Sequence, residues 1–272
     1  MDIQSQLPTY KDYLSLRNLS ENSIRAYLFA VQQFFKLYPD LTFSNLQMYK
    51  LYLVEHYKPQ TVNLRIHALN NFLDYIQWPD GRLLQVRIQQ KAFIDHIISE
   101  GDYEYLKARL ISDEKYLYYF LIRFMAATGA RVSEVIQFTV EDVKNGYKGI
   151  YSKDNKIRQI YIPANLQQAA LQWLKALGRT KGEIFLNPSG TRISPDGIRK
   201  QLKRLAARYH LDEQVLYPHS FRHRFAKSFI EHCNDISLLS NLLGHESIET
   251  TRIYLRRSSS EQKAIINQIV DW

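Results

Sequence analysis

The helical spacing of apolar residues through the first 76 positions constrains the fold most strongly. Residues 20–38 place apolar side chains every three or four positions, and residues 60–76 repeat the pattern. Ser20 is suited to cap the first of these helices. Residues 42–56 form a second stripe, and a shorter helix is expected near residues 8–16. The sequence therefore predicts a four-helix N-terminal unit.

The pattern breaks at residues 78–81, where Trp-Pro-Asp-Gly ends the last stripe. Residues 82–92 then alternate polar and apolar side chains and include several basic ones, which is typical of an extended linker. We therefore predict an N-terminal helical domain over residues 1–80, a linker over 81–94 and a second domain over 95–272.

The second domain shows a mixed pattern. Residues 116–128 are amphipathic and end at Gly129, as helices often do. Strands are expected at 147–151 and 157–162, on either side of a polar turn. Further helices are predicted at 165–177, 195–208, 219–232 and 236–243. The predicted fold is mainly α with a small β-sheet, the second domain being α/β.

Charge and composition narrow the function. The net charge is +9, and basic residues exceed acidic ones by two in residues 1–90 and by seven in the remainder. Such an excess indicates a polyanionic partner. No apolar run is long enough to cross a membrane, and the first residues do not resemble a signal peptide. The single cysteine, Cys233, fits a reducing compartment, so a cytoplasmic protein is expected.

Four segments carry polar residues suited to phosphate chemistry. They are T-G-A-R-V-S-E at 128–134, Lys153 in the predicted hairpin turn, P-H-S-F-R-H at 218–223, and L-G-H at 243–245 followed by T-T-R-I-Y at 250–254. Each segment is weakly informative alone. Together, in this order and behind a small helical domain, they resemble the tyrosine recombinase (phage integrase) family.

The resemblance implies a helical core-binding domain of the SAM-like type, followed by a tyrosine recombinase catalytic domain. It implies six catalytic residues, which are Arg131, Lys153, His219, Arg222, His245 and Tyr254. Glu134 is expected to orient Arg131. Lys156 lies in the same turn as Lys153 and is the alternative lysine. The family's usual glycine before this lysine is Ser152 here, so the turn can differ in shape.

The chemistry of DNA strand transfer needs these residue types. A tyrosine hydroxyl conserves the energy of a cleaved phosphodiester as a phosphotyrosyl ester, without a nucleotide or metal cofactor. Arg131 and Arg222 can bind the phosphate oxygens through paired donors. A hairpin lysine can protonate the leaving 5′ oxygen. His219 can accept the tyrosine proton or donate to the phosphate, and His245 can add a hydrogen bond.

Basic residues outside these motifs are predicted to contact double-stranded DNA. One group lies on the helix at 195–208, where a basic face suits phosphates or a major groove. A second group lies at the start of the helix at 60–76 and in the linker, because a helix N-terminus rich in donors binds phosphate. The predicted contacts are Lys58, Thr61, Asn63, Arg65, Arg87, Arg199, Lys200, Lys203 and Arg204.

The resemblance also implies assembly. Family members act as tetramers on two DNA sites with inverted repeats, and we expect a monomer in free solution. After Tyr254, the run of serines at 258–260 precedes an apolar helix that ends near Trp272. We expect this tail to pack on a neighbouring subunit, with packing on its own domain as the alternative.

Other interpretations stay open at this stage. A type IB topoisomerase uses similar arginine, lysine, histidine and tyrosine chemistry, and a relative that binds DNA without cleaving it would keep much of the pattern. His219 and His223 have a spacing that could bind zinc, but a third ligand nearby is lacking, so no metal is expected. His223 is expected to be a structural residue.

Overall fold

The computed structural model describes residues 3–88, 96–151, 157–245, 247–255, 266–268 and 270. The chain divides by its internal contacts into two compact units, Met1–Gln90 and Lys91–Trp272. Both units are mainly helical, and a two-stranded antiparallel sheet lies in the second. The predicted fold class is therefore confirmed. Within the described ranges, no helix has the length and apolar character needed to span a membrane.

The first unit follows the predicted helical pattern. Its helices are α1 (Ile3–Leu16), α2 (Glu21–Leu37), α3 (Phe43–His56) and α4 (Pro59–Tyr75). Ser20 caps α2 by accepting a hydrogen bond from the Ser23 N–H. Helix α1 begins five residues earlier than expected, which leaves Pro8 inside it. The backbone hydrogen bond lost at Pro8 is offset by the complete burial of Tyr10 and Leu14 on this helix.

Two asparagines of α4 fasten the segment that follows it. Asn70 accepts from the Leu83 N–H (2.8 Å) and donates to the Leu83 carbonyl (2.9 Å). Asn63 does the same to Val86, at 2.8 and 2.9 Å. Because Leu83 is also buried in the core of the first unit, residues 82–88 pack as an extended strap on α4. The domain bounds and the linker over 81–94 stay a prediction.

The second unit begins at residue 91 and is described from residue 96. In chain order its elements are α5 (Glu100–Ser112), α6 (Tyr116–Thr128), α7 (Val132–Val135), α8 (Val140–Asn145), β1 (Tyr147–Tyr151), β2 (Ile157–Tyr161), α9 (Ala164–Ala176), α10 (Pro195–Tyr209), α11 (Pro218–His232), α12 (Ile236–Leu243), α13 (Ile248–Arg252) and the 3-10 helix Ile253–Leu255. The hairpin register pairs Tyr147 with Tyr161 and Tyr151 with Ile157.

Helix α5 was not predicted from the sequence, although its signal is present. Tyr103, Leu106 and Leu110 are buried at helical spacing, and Ser99 caps the helix through the Asp102 N–H. The charged residues between these positions lower the contrast between its two faces. The short helices α7 and α8 were also missed, because four to six residues are too few for a periodic pattern.

Helix α11 is the element that organises the functional region. It packs along α6 on one side and against α12 and the final 3-10 helix on another. Its buried residues Ala226 and Ile230 form a small apolar cluster with Leu239 and Leu243 of α12. As a result, the first turns of α11 lie against the C-terminal ends of α6 and α12.

Two predicted features fall largely outside the described residues. The tip of the hairpin, with Lys153 and Lys156, is one of them. The tail helix is the other, apart from residues 266–268, which are helical. The side chains of Ile266 and Val270 in this tail are 59% and 42% exposed.

Candidate active site

Two glycine turns frame the site. Gly129 ends α6 with φ +62°, and Gly244 ends α12 with φ +62°. Both backbones are in the left-handed region that glycine tolerates best. Side chains there would also collide, since an added Cβ would lie 2.4 Å from Phe225 at the first turn and 2.6 Å from Arg158 at the second. The sequence motifs T-G-x-R and G-H therefore need these glycines for shape.

Arg222 joins the two turns. Its side chain leaves α11 and is buried, and it donates to the Gly129 carbonyl (2.6 Å) and the Leu243 carbonyl (2.7 Å). Burial, followed by the positive charges of Arg131 and Arg158, lowers the pKa of Arg222 to about 10. The guanidinium stays protonated at neutral pH, so a buried cation lies at the centre of the site.

Arg131 approaches the same place from the start of α7. Its guanidinium donates to the Gly244 carbonyl (3.0 Å) and pairs with Glu134 (3.0 Å). Glu134 also accepts the Arg131 backbone N–H at 2.7 Å. The Arg131 side chain is 40% exposed, which leaves part of its donor surface open to a ligand.

Arg158 was not singled out by sequence analysis. It projects from β2, donates to the Leu242 carbonyl (2.9 Å) and meets both carboxylate oxygens of Glu134 at 3.0 and 3.3 Å. Burial alone would raise the pKa of Glu134, but Arg158 and Arg131 lower it below its usual value. Glu134 is thus ionised and ties the hairpin to the Arg131 turn.

Replacing Arg158 with glutamine should lower the free energy of unfolding by about 3–5 kcal/mol, because it leaves the buried Glu134 carboxylate without its main partner. Denaturant unfolding followed by circular dichroism measures this loss. The matched control is Glu104→Gln, which breaks the surface pair with Lys107 and should cost less than about 1 kcal/mol. Equal losses of unfolding free energy in the two variants would contradict the claim that Arg158 stabilises the fold through Glu134.

His245 bridges Arg222 and α13. Its Nε2 lies 3.0 Å from an Arg222 nitrogen, and its Nδ1 lies 2.8 Å from the Thr251 hydroxyl. Because Arg222 can only donate, Nε2 accepts and Nδ1 carries the proton. Burial and the neighbouring arginines lower the pKa of His245 to about 4, consistent with a neutral ring. To donate a hydrogen bond to a phosphate, Nε2 would have to give up its contact with Arg222 and carry the proton.

The Tyr254 hydroxyl is paired with a histidine that the sequence analysis treated as structural. Its oxygen lies 2.8 Å from Nδ1 of His223, one helical turn beyond His219 on α11. Burial raises the pKa of Tyr254 to about 12. Burial, then His219 and Arg222, lowers the pKa of His223 to about 4. The tyrosine is therefore protonated and the imidazole neutral.

The structure thus brings together most of the predicted catalytic residues. The ring of His219 lies 6.3 Å from that of His223, and burial, followed by the charges of Arg222, Arg131 and Arg199, lowers the pKa of His219. Among the described residues, no group of three or more His, Cys, Asp or Glu side chains is arranged to hold a metal ion. The predicted lysine cannot be placed, since Lys153 lies outside those residues.

The predicted DNA contacts of α10 form one exposed face. Arg199, Lys200, Lys203 and Arg204 are exposed, opposite a buried stripe that contains Ile198, Leu202 and Leu205. Arg199 pairs with Asp196 and is also among the charges that lower the pKa of His219. The charge of this face therefore acts on at least one residue of the site.

The predicted DNA contacts of the first unit are less uniform. Lys58 and Arg87 are exposed, and Thr61 is half-buried. Asn63 uses its amide on Val86, as described above. Arg65 bonds to Gln33 and stacks on two aromatic rings, at 4.7 and 4.8 Å. The last two side chains thus take part in the packing of the unit, and the DNA contacts of all five residues stay predictions.

Comparison with known proteins agrees with this geometry. The model of the phage integrase family matches residues 98–261, more than half of the chain. The chain therefore belongs to the phage integrase family of tyrosine site-specific recombinases. It is 26% identical to a tyrosine recombinase of Agathobacter rectalis over 302 aligned positions, which cover 97% of this chain and 96% of the relative.

A second relative aligns with part of the chain. The tyrosine recombinase XerD of Staphylococcus epidermidis is 32% identical over 158 residues, which are 54% of this chain and 52% of XerD. Two solved structures share the fold at a TM-score of 0.71. One is the Tn1549 transposon integrase bound to transposon end DNA (18% identity, 97% and 98% coverage). The other is XerH bound to its difH substrate (19% identity, 98% and 84% coverage).

Proposed function

We propose that Tyr254 is the nucleophile of this recombinase and that the surrounding residues bind one DNA phosphate. The hydroxyl oxygen attacks phosphorus, and the bond to the 5′ oxygen breaks. This leaves a 3′-phosphotyrosyl ester and a free 5′-hydroxyl. Attack by the 5′-hydroxyl of another strand reverses the step and joins the two strands.

An excess of positive charge carries the proposal. Arg131 and Arg158 both pair with Glu134. The charges of the two arginines lower the pKa of Arg222, whereas Glu134 and Tyr254 raise it. Three guanidiniums thus share one carboxylate in a largely buried setting. Buried cations are costly unless an anion accompanies them. A phosphodiester supplies that anion, and its charge increases in the transition state, where paired arginine donors stabilise it most.

Membership of the family supports the same proposal for the DNA and for the assembly. The substrate is double-stranded DNA with an inverted-repeat core site. The basic face of α10 contacts this DNA. The chain is a monomer in free solution and a tetramer when two DNA sites pair. It acts in the cytoplasm, at the nucleoid. The exposed Ile266 and Val270 support a tail that packs on a neighbouring subunit, because such side chains gain from burial.

A nicked suicide duplex tests the function. The duplex contains the inverted repeats found beside the gene. Because of the nick, cleavage releases a short strand, and the covalent adduct is trapped. We expect one adduct per cleaved site, with recombination between two intact sites. A protein that binds but never forms the adduct is a non-catalytic relative. Relaxation of supercoiled plasmids that lack the repeats, at catalytic protein levels, would instead indicate a type IB topoisomerase.

A substrate with sulfur in place of the 5′-bridging oxygen tests the lysine. Lys153→Ala should cleave ordinary DNA slowly, by about 10²–10⁴-fold, because the leaving oxygen lacks its acid. The sulfur substrate should restore the rate, since a thiolate leaves without a proton. Lys156→Ala is the matched control and should cleave both substrates normally. If Lys156→Ala shows the defect and its rescue, the assignment passes to Lys156.

A further inference from the structure

We infer that His223, and not His219, is the base that takes the proton from Tyr254. The inference rests on the proposed role of Tyr254 as the nucleophile. It begins from one contact, the 2.8 Å separation of the tyrosine oxygen and Nδ1 of His223. That distance is normal for a hydrogen bond from a phenol to a neutral imidazole nitrogen.

The contact is held by packing on both sides. His223 stands on the rigid α11 between Arg222 and Arg224, and Tyr254 packs against the apolar cluster formed by α11 and α12. The centroids of the two rings are 5.7 Å apart and the ring planes are inclined by 49°, so the rings do not stack face to face. In the tautomer that carries its proton on Nε2, His223 accepts this hydrogen bond at Nδ1 and satisfies the geometric requirement for a general base.

His219 has a different position. Its ring is 6.3 Å from that of His223, and the hydrogen bond of the Tyr254 hydroxyl goes to His223. The charges that lower the pKa of His219 come from Arg222, Arg131 and Arg199, after burial. His219 is therefore within the electrostatic influence of the arginines proposed to bind the phosphate, where a donor to a phosphate oxygen is useful. In the motif H-x-x-R-H, the first histidine thus interacts with the phosphate and the second with the nucleophile.

The chemical step balances with these groups. As the tyrosine oxygen forms its bond to phosphorus, its proton passes to Nδ1 of His223. The electron pair of the P–O5′ bond leaves with the 5′ oxygen, which takes a proton from the general acid. The products are the phosphotyrosyl ester, an imidazolium and a 5′-hydroxyl. In the joining step, the imidazolium returns its proton to the departing tyrosine oxygen.

The electrostatics make the transfer dependent on DNA. In the free protein the pKa of Tyr254 is about 12 and that of His223 about 4, so the proton stays on the tyrosine. Burial and the charges of His219 and Arg222 disfavour a protonated His223, and a phosphate bound to Arg222 counters the charge of that arginine. Bonding to phosphorus also removes the basicity of the phenol oxygen. The base therefore acts only when a phosphate is in place.

Asparagine at position 223 separates basicity from positioning. Its side-chain oxygen can occupy the place of Nδ1 and accept the same hydrogen bond, but it cannot take up the proton. We expect His223→Asn to form the suicide-substrate adduct about 100-fold more slowly than wild type while binding DNA equally well. The matched control is His232→Asn on the same helix, an exposed histidine that bonds to the Ser228 carbonyl and should cleave normally.

A more acidic tyrosine supplies the second measurement. Difluorotyrosine introduced at position 254 lowers the pKa of the phenol, so a missing base matters less. The rate deficit of His223→Asn should then shrink at least about tenfold. Cleavage by His223→Asn at the wild-type rate overturns the inference. So does a deficit that fluorination leaves unchanged, because His223 would then only position the ring.

Failure of the inference and failure of the proposed function give different results. If the wild-type protein forms no adduct, or if Tyr254→Phe still forms one, the nucleophile is wrong and position 223 is irrelevant. If wild type cleaves and His223→Asn matches it, only the base is wrong. Should His223→Asn lose its cooperative thermal melt, His223→Gln replaces it, since glutamine is also a neutral acceptor.

Discussion

Replacing Tyr254 with phenylalanine should abolish covalent attachment to DNA while leaving DNA binding intact. The change removes a single oxygen, and the ring keeps its packing against Ala226, Ile230 and the α12 leucines. Without the hydroxyl there is no nucleophile, so no phosphotyrosyl ester can form. Denaturing electrophoresis of a suicide-substrate reaction measures the adduct, and a mobility shift measures binding.

Tyr217→Phe is the matched control for this prediction. Tyr217 is a partly buried tyrosine that caps the start of α11 and influences Tyr254 electrostatically. The same chemical change there should leave cleavage near the wild-type rate. An adduct formed by Tyr254→Phe would contradict the assignment of Tyr254 as the nucleophile. Loss of the adduct in both variants would show that the assay reports damage to the site rather than loss of the reacting oxygen.

Replacing Arg131 with alanine should slow cleavage by about 10²–10³-fold, equivalent to about 2.7–4 kcal/mol of transition-state stabilisation. Arg131 is the better of the two arginines to test, because its side chain is 40% exposed and Glu134 keeps Arg158 as a partner. The fold should therefore survive the change. Single-turnover cleavage of the suicide duplex gives the rate, and a thermal melt checks the fold.

Arg109→Ala serves as the control, since it removes a guanidinium from the exposed face of α5. It should bind and cleave DNA as the wild type does. A cleavage rate for Arg131→Ala close to that of Arg109→Ala would mean that Arg131 only holds the Gly244 turn in shape. A parallel fall in DNA binding would instead indicate a ground-state contact, which is expected to be small beside the loss in rate.

Local patterns in the sequence predicted the long elements well. The stripes of α2 and α4 are strongly periodic, and Ser20 and Gly129 mark helix ends through their own backbone chemistry. The hairpin strands were also expected in their observed place. These features depend on neighbours a few residues apart, so a single sequence contains them.

Contacts between distant residues were missed for the opposite reason. Arg158 reaches Glu134 and Leu242 across 24 and 84 residues, and His223 reaches Tyr254 across 31. Within the first unit, the amide of Asn63 reaches Val86 across 23 residues, a contact that the sequence did not predict. A polar side chain reveals its partner only when the fold brings the two together.

Arg222 is both a candidate catalytic residue and an internal fastener of the fold. Its two carbonyl partners, Gly129 and Leu243, would be left buried without a donor if it were lost, and each such group costs about 1–3 kcal/mol. Mutational drift in a gene copy no longer under selection for recombination would therefore spare Arg222 longer than Tyr254, whose hydroxyl supports little else. We therefore expect this arginine to outlast the tyrosine among distant descendants of such a protein, so that the tyrosine is the better marker of surviving activity.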